Sequence, residues 1–233
     1  MEIDHYTPSQ AQAYERHHQK NRRTKLTTFR ERQLLRMALR LAGWPEVVLD
    51  IPCGTGRFWC AFAQSGVRKL IAADNSQGML DVARGSLGPG VVNAGLSLRG
   101  GVRTGQMQVT QLNTSVFDIA LADDAVPFVA CLRFFHHLSE SADRRRALAE
   151  LRRVSTCNVA VSLWNDGNWQ ALRRRHTKPA RTPGYARRSV TPCGLIEQEF
   201  RESGFTIVGR WQAWPYWSLW CTYLLEIRRD GTG

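Results

Sequence analysis

The segment VLDIPCGTGRF, residues 48–58, constrains the chain more than any other stretch. An apolar run ends in an aspartate, breaks into Pro-Cys-Gly-Thr-Gly and passes at once into an aromatic-rich, helix-like sequence. Glycines at a strand-to-helix junction let the backbone turn tightly and let a ligand approach closer than any Cβ would allow. A helix is expected from about Arg57 to Gln64, and a second apolar run, Lys69 to Asp74, follows it. Together these make a β-α-β unit, and such crossovers are right-handed with parallel strands.

The alternation continues along the chain. Strands are expected at Val47 to Asp50, Ala125 to Leu132, Asn158 to Trp164, Thr206 to Trp211 and Thr222 to Arg228, and helices at Ser141 to Arg153 and Thr191 to Ser203. The Gly-rich region from Gly85 to Gly105 has little periodicity, and a short strand is placed near Gln106 to Thr110. Thr28 and Glu31 read as a capping box ahead of Leu34, Leu35, Ala38, Leu41 and Ala42, which share a helical face until Gly43 and Pro45 end the helix. The fold class is α/β: a Rossmann-like, seven-stranded, mostly parallel sheet with helices on both faces and an N-terminal helical extension. Residues 1–46 form that extension within a single domain, and residues 47–233 form the rest, with a basic insertion at about 170–190. Ligands of such sheets lie at the carboxyl ends of the strands.

The spacing narrows the ligand of the loop. A dinucleotide fingerprint, G-x-G-x-x-G, uses its third glycine to bring helix against strand. Gly54 and Gly56 fit, but the third place is Trp59. Asp74 ends the second strand where a carboxylate grips ribose hydroxyls. A nucleoside without pyrophosphate, held beside two acids, points to S-adenosylmethionine (SAM), whose sulfonium and amino group are cationic.

At these residues the sequence resembles the class I SAM-dependent methyltransferases, especially the branch with small UbiE-like domains. The resemblance rests on VLDIPCGTGRF, on IAADNSQGML (residues 71–80) and on FFHHLSESADRRRALAELRRV (residues 134–154), and it covers about Val47 to Trp164. It implies that Asp50, Pro52, Gly54 and Gly56 line the methionine part of SAM, that Asp74 holds the ribose, and that Asn75 to Met79 flank the adenine. It also sets Ser115, Val116 and Phe117 at the adenine edge. Three positions depart from the family pattern: Pro52 replaces a common glycine, Ser115 an acid, and Pro127 falls in the strand that usually opens Phe-Asp.

The acceptor side is less constrained. His136 and His137 follow the fourth strand, where a neutral imidazole can take a proton from an acceptor hydroxyl, or where the pair can simply shape the loop. Arg133 is a candidate for an anionic acceptor or for pairing with an acid, and Trp164 and Asn165 are candidates for the acceptor wall. The segment LRRRHTKPARTPGYARRSVTP, with Arg173, Arg174 and Arg175, holds no acid and reads as surface or lid. Trp211, Trp214, Trp217 and Trp220 recur every three residues and read as packing of a terminal hairpin. The net charge of +12 is carried mostly by arginine, which binds phosphate or carboxylate through a planar fork. O-methylation of an anionic small molecule or a phosphorylated glycan or glycolipid is therefore the favoured reading. RNA methylation is the alternative, and a SAM-binding regulator without turnover is a third. The six scattered cysteines show no C-x-x-C pair and suggest neither a disulfide nor a metal. No stretch reaches the ~18 apolar residues of a membrane helix and residues 1–20 carry no apolar signal region, so a soluble, cytoplasmic protein is expected.

Overall fold

A computed structural model describes residues 22–85, 91–93, 107–167, 189–214 and 218–228. Helix α1 (Arg22–Leu41) leads into β1 (Val47–Asp50), α2 (Trp59–Gln64), β2 (Lys69–Asp74) and α3 (Gln77–Gly85). Strands β3 (Val91–Asn93), β4 (Met107–Asn113) and β5 (Val126–Cys131) follow, then α4 (Ser141–Val154), β6 (Ser155–Trp164), α5 (Cys193–Glu202), β7 (Phe205–Gln212) and β8 (Trp220–Ile227). A single 3₁₀ turn, Phe135–His137, lies between β5 and α4.

The strands form one sheet in the order β3-β4-β2-β1-β5-β6-β8-β7. These are the seven expected strands with the three-residue β3 added at the outer edge, beside β4. Only β8 runs against the rest, pairing antiparallel with both β6 and β7. Strands covered on both faces read as continuous apolar runs, which is why β1, β2 and β5 were visible in the sequence. Their alternate residues feed two cores. Leu49, Val129 and Val161 face Leu148, Leu151 and Phe200 of α4 and α5. Val48, Phe128 and Ala160 face Leu35, Ala38 and Phe62 of α1 and α2.

Two local features differ from the sequence reading, each for a physical reason. Thr28 and Glu31 lie inside α1 rather than at its start, and Glu31 turns inward to an ion pair instead of back to the helix end. The other end of α1 is as expected: Gly43 at φ 79° allows a Schellman-type closure, with Trp44 N–H donating to Leu39 O and Gly43 N–H to Arg40 O. Pro127 sits at a register shift between β5 and β6, where Val126 pairs with Ser155 and Phe128 with Asn158. A strand proline is tolerated at such an irregularity because the ladder makes no use of the missing N–H there.

Candidate active site

In the sheet order, β1 lies between β2 on one side and β5 on the other, so the chain reverses its direction of travel across the sheet beside β1. Open α/β sheets bind ligands at this switch point, outside the carboxyl ends of the strands. Asp50 ends β1 and Asp74 ends β2, and the glycine loop leaves β1 between them.

The loop is fixed by backbone bonds on both sides. Ile51 N–H donates to Ala130 O of β5 and Cys53 N–H to Ala73 O of β2, so Pro52, after a cis peptide bond, stands between two anchored residues. Gly54 and Gly56 adopt φ 54° and 75°, the left-handed region that L side chains avoid. Their surroundings differ. A Cβ on Gly54 would meet nothing within 4 Å, whereas one on Gly56 would lie 2.8 Å from the Trp59 ring. Gly56 is thus bare because the indole packs beneath it, and Gly54 is bare toward open space.

Asp74 ties the loop to the start of α3. Its Oδ2 accepts from Gly54 N–H at 2.9 Å and its Oδ1 from Ser76 N–H at 2.9 Å. Ser76 Oγ in turn accepts from Met79 N–H, an N-cap contact that starts α3 beside half-buried Asn75 and buried Met79. Asp50 is only 1% exposed. Its Oδ2 accepts from Trp59 Nε1 at 3.2 Å, and its Oδ1 has no hydrogen-bond partner. Burial first, with the nearby Asp74 charge adding to it and the Trp59 bond opposing, pushes the Asp50 carboxyl up to about 8. Burial, followed by the charges of Asp50 and Asp74, also raises the Cys53 thiol, which therefore supplies no thiolate nucleophile.

Across β4, Ser115 organises a tight turn, its Oγ accepting from Phe117 N–H and its carbonyl from Asp118 N–H. Val116 is buried. Phe117 is half-buried, edge-on to Phe134 at 6.0 Å and under the Arg146 guanidinium at 5.3 Å.

On the β5 side the 3₁₀ turn brings the histidines against a tryptophan pair. Trp164 and Trp220 are cross-strand partners on β6 and β8, with ring centroids 5.6 Å apart. His136 is buried, stacked on Trp164 at 5.2 Å and edge-on to Trp220 at 4.8 Å. His137 is half-buried with its ring 4.0 Å from that of His136. Asn165 is fully buried, its carbonyl Oδ1 accepting from Gln212 Nε2. Arg133 takes the second of its two expected roles, pairing with an acid. Its guanidinium grips Glu31 of α1 through Nε at 3.0 Å and an η-nitrogen at 2.6 Å, and lies 4.7 Å over the Trp220 ring. Arg173, Arg174, Arg175 and Trp217 lie outside the described residues. Among the described residues, no group of three His, Cys, Asp or Glu is gathered to hold a metal.

Three residues of this region were missed by the sequence reading. Trp59 had been read only as an obstacle to a third glycine, and it is the donor that holds Asp50. Glu31 and Trp220 became site residues only through contacts made far along the chain.

Comparison with known proteins agrees with the geometry. Residues 49–158 match the family model described as a methyltransferase domain. These residues form a methyltransferase domain, and the chain has the fold of SAM-dependent methyltransferases. A magnesium protoporphyrin IX methyltransferase from Synechocystis PCC 6803, crystallised with S-adenosylhomocysteine, superposes with a TM-score of 0.63 at 16% identity, over 89% of this chain and 88% of that one. A SAM-dependent methyltransferase from Aquifex aeolicus gives 0.60 at 18% identity, over 96% and 100% of the two chains. One from Methanosarcina mazei gives 0.58 at 16%, over 78% and 92%. No match was found among curated protein sequences. In this methyltransferase the two strand-end carboxylates and the glycine loop gather at the switch point, and the histidine and tryptophan cluster stands on the β5 side.

Proposed function

We propose that this methyltransferase transfers the methyl group of SAM to a hydroxyl oxygen of an anionic small molecule or of a phosphorylated glycan or glycolipid. The donor set fits the cofactor: an unpartnered buried carboxylate oxygen on Asp50 suits a cationic group, and the open side of Gly54 leaves room for a ligand against the backbone. When bound, SAM supplies a methyl group already activated by its sulfonium, so the protein's task is alignment and exclusion of water.

The observation that carries the acceptor reading is the position of His137. It is half-buried at the end of β5, beside the strand that bears Asp50, and backed by His136 in its tryptophan wall. A hydroxyl is a poor nucleophile until its proton leaves, and an imidazole there is suited to accept it as the oxygen takes the methyl group. His136, enclosed by two indoles, acts instead to hold the turn. The preference for an anion is supported by the net charge of +12 and by the basic segment that the sequence inserts between β6 and α5.

The test is a panel of hydroxyl-bearing acceptors with isotopically labelled SAM, with products read by mass spectrometry. A positioned base typically contributes ~10²- to 10⁴-fold, so His137→Gln is expected to lose kcat by about that factor with SAM affinity unchanged. Near wild-type kcat in that variant, or equal turnover of neutral and anionic acceptors, refutes the proposal.

A further inference from the structure

Helix α1 is buried on one side and exposes several large apolar side chains on the other. Leu34, Leu35, Ala38 and Leu39 fill the core, while Leu26, Phe29, Met37 and Leu41 point to solvent, Phe29 and Leu41 with more than half of their surface exposed (58% and 57%). At 3.6 residues per turn, Leu26, Phe29, Met37 and Leu41 share one face with Arg30, Gln33 and Arg40, Arg30 donating to Gln33 Oε1 there. Trp44, just past the helix end, is exposed as well. Five of the eight exposed large apolar side chains among the described residues are therefore gathered on this one element and its end.

The charges of the helix are sorted in the same way. Lys25, Arg36 and Arg40 are exposed. The only acid of α1, Glu31, is buried on the opposite side, where it holds Arg133. A face that mixes large exposed apolar side chains with basic residues and holds no acid, on a helix not apolar enough to cross a bilayer, resembles helices that lie in a lipid interface.

We propose that the outer face of α1 docks onto a membrane surface containing anionic lipid, lying in the interface and not spanning it. Charge complementarity selects this occupant. The face is positive and so is the whole chain, at +12, which an anionic bilayer attracts. A second copy of the chain fits poorly, because a two-fold contact sets the same patch against itself and would gather the basic residues of both copies with no exposed acid of α1 to offset them. Other positions of α1 are bonded to the catalytic end of the sheet: Arg32 donates to Arg57 O beside the glycine loop, and Glu31 clamps Arg133 over Trp220. Docking therefore sets the tryptophan wall about one helix diameter, ~10 Å, from the lipid surface. This inference does not depend on the identity of the methyl acceptor.

The experiment is co-sedimentation of the full chain with phosphatidylcholine vesicles, with and without phosphatidylglycerol, at low and high salt. The chain is expected to sediment with the phosphatidylglycerol vesicles and to be released by salt. The variant carrying Leu26→Ser, Phe29→Ser, Met37→Ser and Leu41→Ser is expected to lose at least about tenfold in partitioning while SAM affinity, measured by calorimetry, is retained. Phe29→Glu alone is expected to lose less in the same direction, and Arg36→Gln with Arg40→Gln to weaken the salt dependence. Absence of wild-type binding to either vesicle overturns the proposal. So does undiminished binding by the four-residue variant, which would assign the lipid contact to another basic segment. A wild-type dimer in light scattering that the same variant converts to monomer also overturns it, assigning the face to a second copy.

Discussion

The proposed contact of Asp50 with SAM would make cofactor binding a titration. Its carboxyl is pushed up to about 8 chiefly by burial, so it is mostly protonated at neutral pH, yet a cationic ligand favours the carboxylate. If SAM binds the ionised form, its apparent affinity is scaled by the fraction ionised. That fraction is about 1% at pH 6 and about a quarter at pH 7.5, so affinity should rise about 25-fold over that interval. Staying at or below pH 7.5 keeps clear of most of the titration of an α-amino group, which is centred near 7.7 to 8.0. Calorimetry in two buffers of different ionisation enthalpy should show about 0.9 protons released per SAM at pH 7. Asp50→Asn should abolish both the slope and the proton release, and hold affinity at or below the low-pH value. The same variant should stabilise the unliganded protein. A native pKa raised above the unfolded 3.8 means that the stability of the protonated form is complete below 3.8 and is lost as pH rises toward 8. Removing the charge should therefore add about 2–4 kcal/mol at pH 7, seen as a higher urea midpoint. An affinity that is flat between pH 6 and 7.5, or a slope that survives in Asp50→Asn, refutes the reasoning.

The glycine loop offers a matched pair. Gly54→Ala meets open space and should cost only the left-handed backbone penalty of about 1–2 kcal/mol while cutting SAM affinity, whereas Gly56→Ala also drives into the Trp59 ring and should melt at a lower temperature than Gly54→Ala. Asp74→Ala removes the acceptor of Gly54 and Ser76 N–H along with the expected ribose contact, and a charged hydrogen bond worth about 1.5–3 kcal/mol predicts a 10- to 150-fold weaker dissociation constant by calorimetry. The buried pair Arg144 and Glu199, with one bond of 2.7 Å from Nε and another of 2.7 Å from an η-nitrogen, joins α4 to α5, and Arg144 also donates to Leu138 O and Ser139 O just after the histidine turn. Arg144→Met should destabilise by about 3–5 kcal/mol because Glu199 is left charged and buried, and Arg144→Met with Glu199→Leu should destabilise less than the single change in denaturant titration.

The parts legible in the sequence were those set by local periodicity and by glycine. β2 was expected from Lys69 to Asp74 and spans those residues, since a strand buried on both faces is a run with little polar interruption. The glycine loop and the strand-end acids were equally visible, because their signals are contiguous. Contacts made across the chain were hidden. Glu31 follows Thr28 at the spacing of a capping box, and nothing nearby reveals that its partner is Arg133, 102 positions away. The sequence offers Arg133 an acid as one of its two possible partners but does not say which acid. β6 begins at Ser155, three residues before the expected start, because α4 runs into it without a loop and the polar stretch Ser155 to Asn158 hides the join. Trp220 pairs with Trp164 only because β8 runs antiparallel along β6, a fact of topology that tryptophan spacing does not encode.

That topology also governs the order in which a growing chain can close its sheet. β7 is made before β8, yet it has no neighbour of its own until β8 arrives between it and β6. During synthesis the hydrogen-bonding edge of β6 therefore stays open while α5 and β7 emerge, and an open edge is a template for pairing with another chain. Closure needs β8 to slide in with Leu224 and Leu225 turned to opposite cores, so one late event seals both faces. The tryptophan wall is built by that same event, since Trp220 opens β8. A nascent chain paused before residue 220 would thus carry the glycine loop and the strand-end acids with only Trp164 of the tryptophan pair.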